Sequence, residues 1–168
     1  NSLWAAGFST ALVLAVGVPI AYALARFRFG GEKLLRAALF GPLVVPRVAV
    51  GFSLFVLFLA TRSGLYGTMA GVVIGHAVLM LPFVVAILVA NLGEVDPALE
   101  EAARDLGAGP IGAFCRVALP QMRPGLLVAG IFAFITSFDE VETTIFLTRP
   151  AVQTLPIEMY YYLDQFQD

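Results

Sequence analysis

Charge is scarce in this sequence. Only 13% of its 168 residues are Asp, Glu, Lys or Arg, about half the share of a soluble domain. The net charge is −2, with no basic tract and no run of like charge. Nucleic acid is therefore not an expected partner. One cysteine, Cys115, excludes a disulfide within the chain and reads as a buried thiol. One histidine, His76, leaves no nucleophile–base set and no Cys/His metal cluster. H-E-x-x-H is absent, and so is the phosphate-binding G-x-x-x-x-G-K-[ST]. The segment Gly107–Gly112, "GAGPIG", fits G-x-G-x-x-G in form, but no strand precedes it and a proline interrupts it. No cofactor or metal is expected, and the chain is not read as an enzyme. There is no internal repeat, low-complexity tract or soluble domain. No basic region precedes the first apolar run, so no secretory signal is read.

What is abundant is apolar surface. Hydrophobic residues make up 60% of the chain, and the mean hydropathy is +0.89. A soluble core could not hide that much, so the bilayer is the expected solvent. Four apolar runs approach the ~20 residues a spanning helix needs. They cover about Leu3–Ala25, Ala37–Ala60, Met69–Leu92 and Leu126–Leu147. The expected fold is all-α, a polytopic transmembrane helical bundle forming one domain over residues 1–168.

The connections predict an orientation. Arg26, Arg28, Lys33 and Arg36 lie between the first two runs. Arg104, Arg116 and Arg123 lie between the last two. The second connection has only Arg62, and the tail after the fourth run has Arg149. The excess of positive charge places the first and third connections in the cytoplasm. The abrupt apolar start at Asn1 and the end at "YYYLDQFQD" predict a piece of a longer membrane protein, cut at both ends.

Pro19, Pro42, Pro46 and Pro82 fall inside the runs and are expected to kink them. Neighbouring helices or water satisfy the carbonyls so freed. Gly67, Gly71 and Gly75 recur every fourth residue, which permits close helix approach. Chance glycines in a Gly-rich chain are the alternative.

Residues 94–123 are the polar exception. Asp96 and Pro97 make a helix start. Leu99, Ala102, Ala103 and Leu106 then share one face, with Glu100, Glu101, Arg104 and Asp105 toward the other. Glu100 and Arg104 are spaced for an i,i+4 pair. Gly107 suits a left-handed helix end. A second short helix starts at Gly109-Pro110, with Ile111, Phe114, Cys115 and Ala118 on one face, and is expected to stop at Pro120. A solvated connecting loop is the alternative.

The stretch "EAARDLGAGPIGAFCRVALP", Glu101–Pro120, resembles the EAA motif of binding-protein-dependent ABC importer permeases. Glu101, Ala102, Ala103, Gly107, Val117, Leu119 and Pro120 match at the family's spacing, with Val117 where isoleucine is usual. The resemblance extends to "NSLWAAGFSTALVLAVGVPIAYALARF" at the start and "FDEVETTIFLTRPAVQTLPIEMYYYL" toward the end. It implies a type I ABC importer permease fold of about four spans here, lacking the family's first and last helices. It implies a coupling helix that docks on cytoplasmic ATP-binding subunits, so that ATP hydrolysis belongs to a separate subunit. The other implied partners are a second permease subunit, an extracytoplasmic solute-binding protein and the lipid bilayer. The implied location is the bacterial inner membrane.

The fourth run ends in "FITSFDEVETTIFL". On a continuous helix Asp139, Glu140 and Glu142 lie about 20–24 Å beyond Leu126. Intramembrane carboxylates are costly and face cavities or partner charges. Three acids without a base in that run suggest a cation pathway. The segment is similar to that of spermidine/putrescine-type permeases, which implies a polyamine or similar small cation as solute. The alternative is that these acids are structural, at an interface or paired with Arg47 or Arg149. Arg47 follows Pro46, where the second run could break. His76 reads as a packed, hydrogen-bonded residue rather than a relay. A secondary transporter or ion channel with an intramembrane carboxylate site is the competing function.

Overall fold

The computed structural model describes residues 1–165; the last three residues of "YYYLDQFQD" lie outside it. The described chain is helical. α1 covers Ser2–Arg26, α2 Glu32–Phe40, α3 Arg47–Ala60 and α4 Met69–Gly93. α5 covers Ala98–Asp105. α6 (Pro110–Ala113), a π turn over Phe114–Ala118 and α7 (Leu119–Gln121) follow as one stretch. α8 covers Arg123–Phe138, α9 Thr144–Leu147 and α10 Leu155–Gln165.

Among the described residues, only α1 and α4 are long and apolar enough to cross a membrane unaided. The second apolar run is not one straight span. It breaks between α2 and α3, across a 3-10 turn at Gly41–Val44, with a bend of 112°. Pro42 and Pro46 each remove a donor, and the residue before a proline is driven out of helical geometry. Val45 accordingly sits at ψ 132°. Pro19 and Pro82, by contrast, lie inside continuous helices.

α1, α4 and α8 form the central packing unit. Ser9 Oγ donates to the Val73 carbonyl (3.3 Å), and Gly17 lies against Val84, so α1 and α4 run parallel. α8 runs against them, with Gly125 on Asn91 and Ser137 on His76. Its buried residues are Gly125, Ala129, Ala133 and Ser137, a small residue every fourth position. Lipid gives helices no hydrophobic reason to associate, so close approach through small residues is what holds such a unit together. That stripe escapes a reading focused on glycine. Of the glycine series, Gly71 abuts the Leu65 carbonyl and Gly75 abuts Leu147, while Gly67 lies before the helix at φ +73°.

The two ends of the bundle differ. At one end, α1 stops at Arg26, α4 at Gly93 and α8 begins, and α5–α7 lie across that end. At the other, Ser2 Oγ accepts from Leu155 N–H (2.6 Å) and Asn1 Nδ2 donates to the Gln153 carbonyl (3.0 Å). Segment 139–154 belongs to this second end.

Candidate functional site

The segment across the first end is built as two faces. Asp96 Oδ1 accepts from Ala98 N–H at 2.9 Å and so starts α5. Gly107 takes φ +90°, the left-handed conformation expected there. Exposure does not follow the two faces, because Glu101, Arg104 and Asp105 are exposed and so are apolar residues. Leu99 and Ala102 are exposed, Leu106 is 90% exposed and Ile111 80%. Glu100 is instead the buried residue of α5. It does not pair with Arg104 one turn on. Its Oε1 accepts from Arg26 Nε at 2.8 Å and its Oε2 from Tyr22 O–H at 2.5 Å. A local i,i+4 partner would have left the carboxylate at the surface, while Arg26 at the end of α1 offers a sheltered guanidinium N–H. Arg26 also donates to the Val95 carbonyl at 2.9 Å.

Glu101 is exposed and Ala103 half-buried. Val117, Leu119 and Pro120 are half-buried along the second stretch. That stretch does not stop at Pro120 as expected. The π turn closes with Leu119 N–H on the Phe114 carbonyl, and helix continues to Gln121 before bending 68° into α8. The wider π turn admits the proline that an α-helix would reject. Cys115 is exposed rather than buried.

Near the other end, the fourth run ends as helix at Phe138, and the three acids stand on a turn, not on a continuing helix. The reason is a buried polar cluster that outbids further helix. Glu140 Oε2 accepts from Arg47 Nη1 at 3.1 Å, and Glu140 Oε1 accepts from Thr143 N–H at 3.1 Å. Thr143 Oγ1 donates to the Arg47 carbonyl at 3.3 Å. His76 Nδ1 lies 2.7 Å from Ser137 Oγ, and His76 Nε2 lies 2.8 Å from Thr144 Oγ1. Thr144 Oγ1 gives its proton to the Glu140 carbonyl at 2.6 Å. Its oxygen therefore accepts from His76 Nε2–H, and Nδ1 accepts from Ser137. His76 is seven residues into α4, about 10 Å from its start. The cluster thus sits well inside the bundle.

The break before Arg47 makes the pairing possible, because it aims the first turn of α3 at Glu140. Gly51, one turn later, lies against Thr143, where a Cβ would come 2.8 Å from Thr143 Cα. Asp139 and Glu142 are exposed and stand clear of this pairing. Arg149 stacks on Tyr66, 4.5 Å from the ring centroid. Ser137, Thr143 and Thr144 carry the cluster together with His76 and were not singled out from sequence. Hydroxyls in an apolar run next to a lone histidine are the signal that could have found them.

Residues 17–166 match the family described as binding-protein-dependent transport system inner membrane component. The chain is 32% identical over 162 residues to the spermidine/putrescine transport system permease protein PotC of Escherichia coli (strain K12), covering 95% of this chain and 60% of that protein. It is 32% identical over 167 residues to the sulfoquinovosyl glycerol transport system permease protein SmoH of Agrobacterium fabrum, covering 99% of this chain and 58% of that one. The chain therefore spans less than two thirds of the length of these relatives. Its fold is similar to a chain in the crystal structure of a bacterial ABC transporter involved in the import of the acidic polysaccharide alginate. That match has a TM-score of 0.79 at 20% identity and covers 99% of this chain and 57% of the other. The all-helical fold, the Glu101–Pro120 segment and these matches agree: the chain belongs to the binding-protein-dependent transport system inner membrane components, the permeases of ABC transporters.

Proposed function

We propose that this chain forms part of the solute path of an ATP-driven importer and couples to separate cytoplasmic ATP-binding subunits through α5–α7. The observation that carries this reading is the outward apolar face of Leu99, Leu106 and Ile111 beside Gly107. A solvated connector has no reason to expose three large apolar side chains together. Glu101, Ala102, Ala103, Gly107, Val117, Leu119 and Pro120 are the coupling residues in this reading. A second permease subunit and an extracytoplasmic solute-binding protein complete the transporter, which is multi-pass in the bacterial inner membrane. Leu106→Asp and Ile111→Asp, both at surface positions, are expected to abolish retention of the ATP-binding subunit in a pull-down of the whole transporter. Retention and uptake at the level of the unaltered protein would refute the reading.

The solute we propose is a polyamine or similar small cation. Two relatives of equal identity are named for different solutes, so overall likeness does not decide. The reading rests on Asp139 and Glu142, exposed at the turn after α8. Glu140 contributes differently, because Arg47 neutralises it. Asp139→Asn and Glu142→Gln are each expected to lower polyamine uptake about 2- to 5-fold, with ATP-binding subunits still retained. Unchanged uptake in both variants refutes the cation reading.

A further inference from the structure

We propose that the Glu100–Arg26–Tyr22 cluster is the tie that delivers movement of α5 to α1, which makes Glu100 and Arg26 positioning residues for coupling ATP hydrolysis to solute movement. This rests on the docking of α5–α7 proposed above.

The backbone of α5 packs chiefly against α6 and the π turn, which belong to the same surface segment. Its strongest attachment to a spanning helix is made by side chains. The Glu100 side chain is 4% exposed and that of Arg26 12%. Both carboxylate oxygens are used, one by Arg26 and one by Tyr22. The second guanidinium branch of Arg26 holds the Val95 carbonyl in the linker after α4. The Tyr22 ring meets Phe114 of the second stretch, with centroids 4.7 Å apart. The last turn of α1 therefore grips three points of the segment at once.

The opposed faces give the tie its meaning. Leu99 and Leu106 point outward from α5, and Glu100 points inward. A force applied at the apolar face reaches α1 through the carboxylate. Apolar contacts slide with little penalty, but charge-assisted bonds fix both distance and direction. Behind the tie, α1 packs along its length on α4 and α8, with Gly17 on Val84 and Leu14 beside Gly130. The movement is thereby handed to the central unit rather than spent in the connector. Glu101, the motif residue next door, is exposed and lies outside this grip.

The test uses the complete transporter reconstituted in vesicles, with ATP-binding subunits and solute-binding protein present. Three quantities are read: retention of the ATP-binding subunit, ATP hydrolysis, and solute moved per ATP. Glu100→Gln and Arg26→Gln are expected to keep the subunit bound and to lower solute moved per ATP about 5-fold or more. The exchange pairing Arg26→Glu with Glu100→Arg is expected to recover most of that ratio. A role in folding alone would reduce hydrolysis and transport in parallel and leave the ratio unchanged. That result, or an exchange without recovery, overturns the tie. Leu106→Asp run beside them separates the two ideas. If it releases the ATP-binding subunit while Glu100→Gln keeps an unchanged ratio, docking stands and the tie falls. If it retains the subunit, the docking itself is wrong.

Discussion

The Arg47–Glu140 pair allows a prediction about asymmetry. The two side chains are 3.1 Å apart, but that of Glu140 is 2% exposed and that of Arg47 is 47% exposed. Arg47→Gln strands a buried carboxylate whose remaining partner is Thr143 N–H. Removing one partner of a buried pair costs about 3–5 kcal/mol. Glu140→Gln leaves a guanidinium that is already half-exposed, and the new amide oxygen can still accept from Thr143 N–H. Its cost is about 1 kcal/mol. A chain of this size shifts by roughly 2–4 °C per kcal/mol. Thermal unfolding of the purified permease in detergent, followed by size exclusion, should show Arg47→Gln lower by roughly 6–20 °C. Glu140→Gln should fall by roughly 2–4 °C. The double variant should be more stable than Arg47→Gln alone, because no charge is then left stranded. Equal effects, or a larger loss in Glu140→Gln, would refute the argument from unequal burial.

Packing and polar satisfaction yield two more expectations. Gly125→Val puts a Cβ 2.6 Å from Asn91 Oδ1, so α8 must move off α4; the expected cost is about 1–3 kcal/mol. Gly130→Ala meets only Leu14 at 3.6 Å and should unfold at the temperature of the unaltered protein in the same assay. His76→Leu removes two buried hydrogen bonds and strands the Ser137 hydroxyl, while Thr144 keeps its bond to the Glu140 carbonyl; the cost is about 1–3 kcal/mol. Hydrogen exchange should then speed up at Thr143–Leu147, and unchanged protection there would contradict the fastening role.

What was legible in the chain depended on whether local pattern or distant partners decided the outcome. α1 and α4 follow their apolar runs closely, because a long apolar helix satisfies its own backbone. The Gly107 turn was legible for the same reason: a left-handed helix end is a local demand. The second and fourth runs are long enough to span like the others, yet each carries charge, and they break. Pro42 and Pro46 hinted at the first break, while Asp139 and Glu140 interrupt the apolar pattern after Phe138 without saying whether the helix ends there. That end is set by Glu140, Thr143 and Thr144 finding Arg47 and His76, which lie 61 to 96 positions away from the residues they bond. Glu100 shows the limit in one residue. Spacing offered Arg104 four positions on, and the fold chose Arg26, 74 positions back. The pairing of Arg47 with an acid was foreseeable only because a break at Pro46 was.

The break between α2 and α3 also works as a compass. Pro46 gives α3 no side-chain cap, and the first N–H groups of any helix find no acceptor within it. Val44 and Val48 beside them are 88% and 48% exposed, so this backbone opens on the surface of the chain. Hydrocarbon cannot hydrogen-bond to such groups, and each one facing it would cost several kcal/mol. The side of the bundle bearing residues 44–49 must therefore look toward water or another protein.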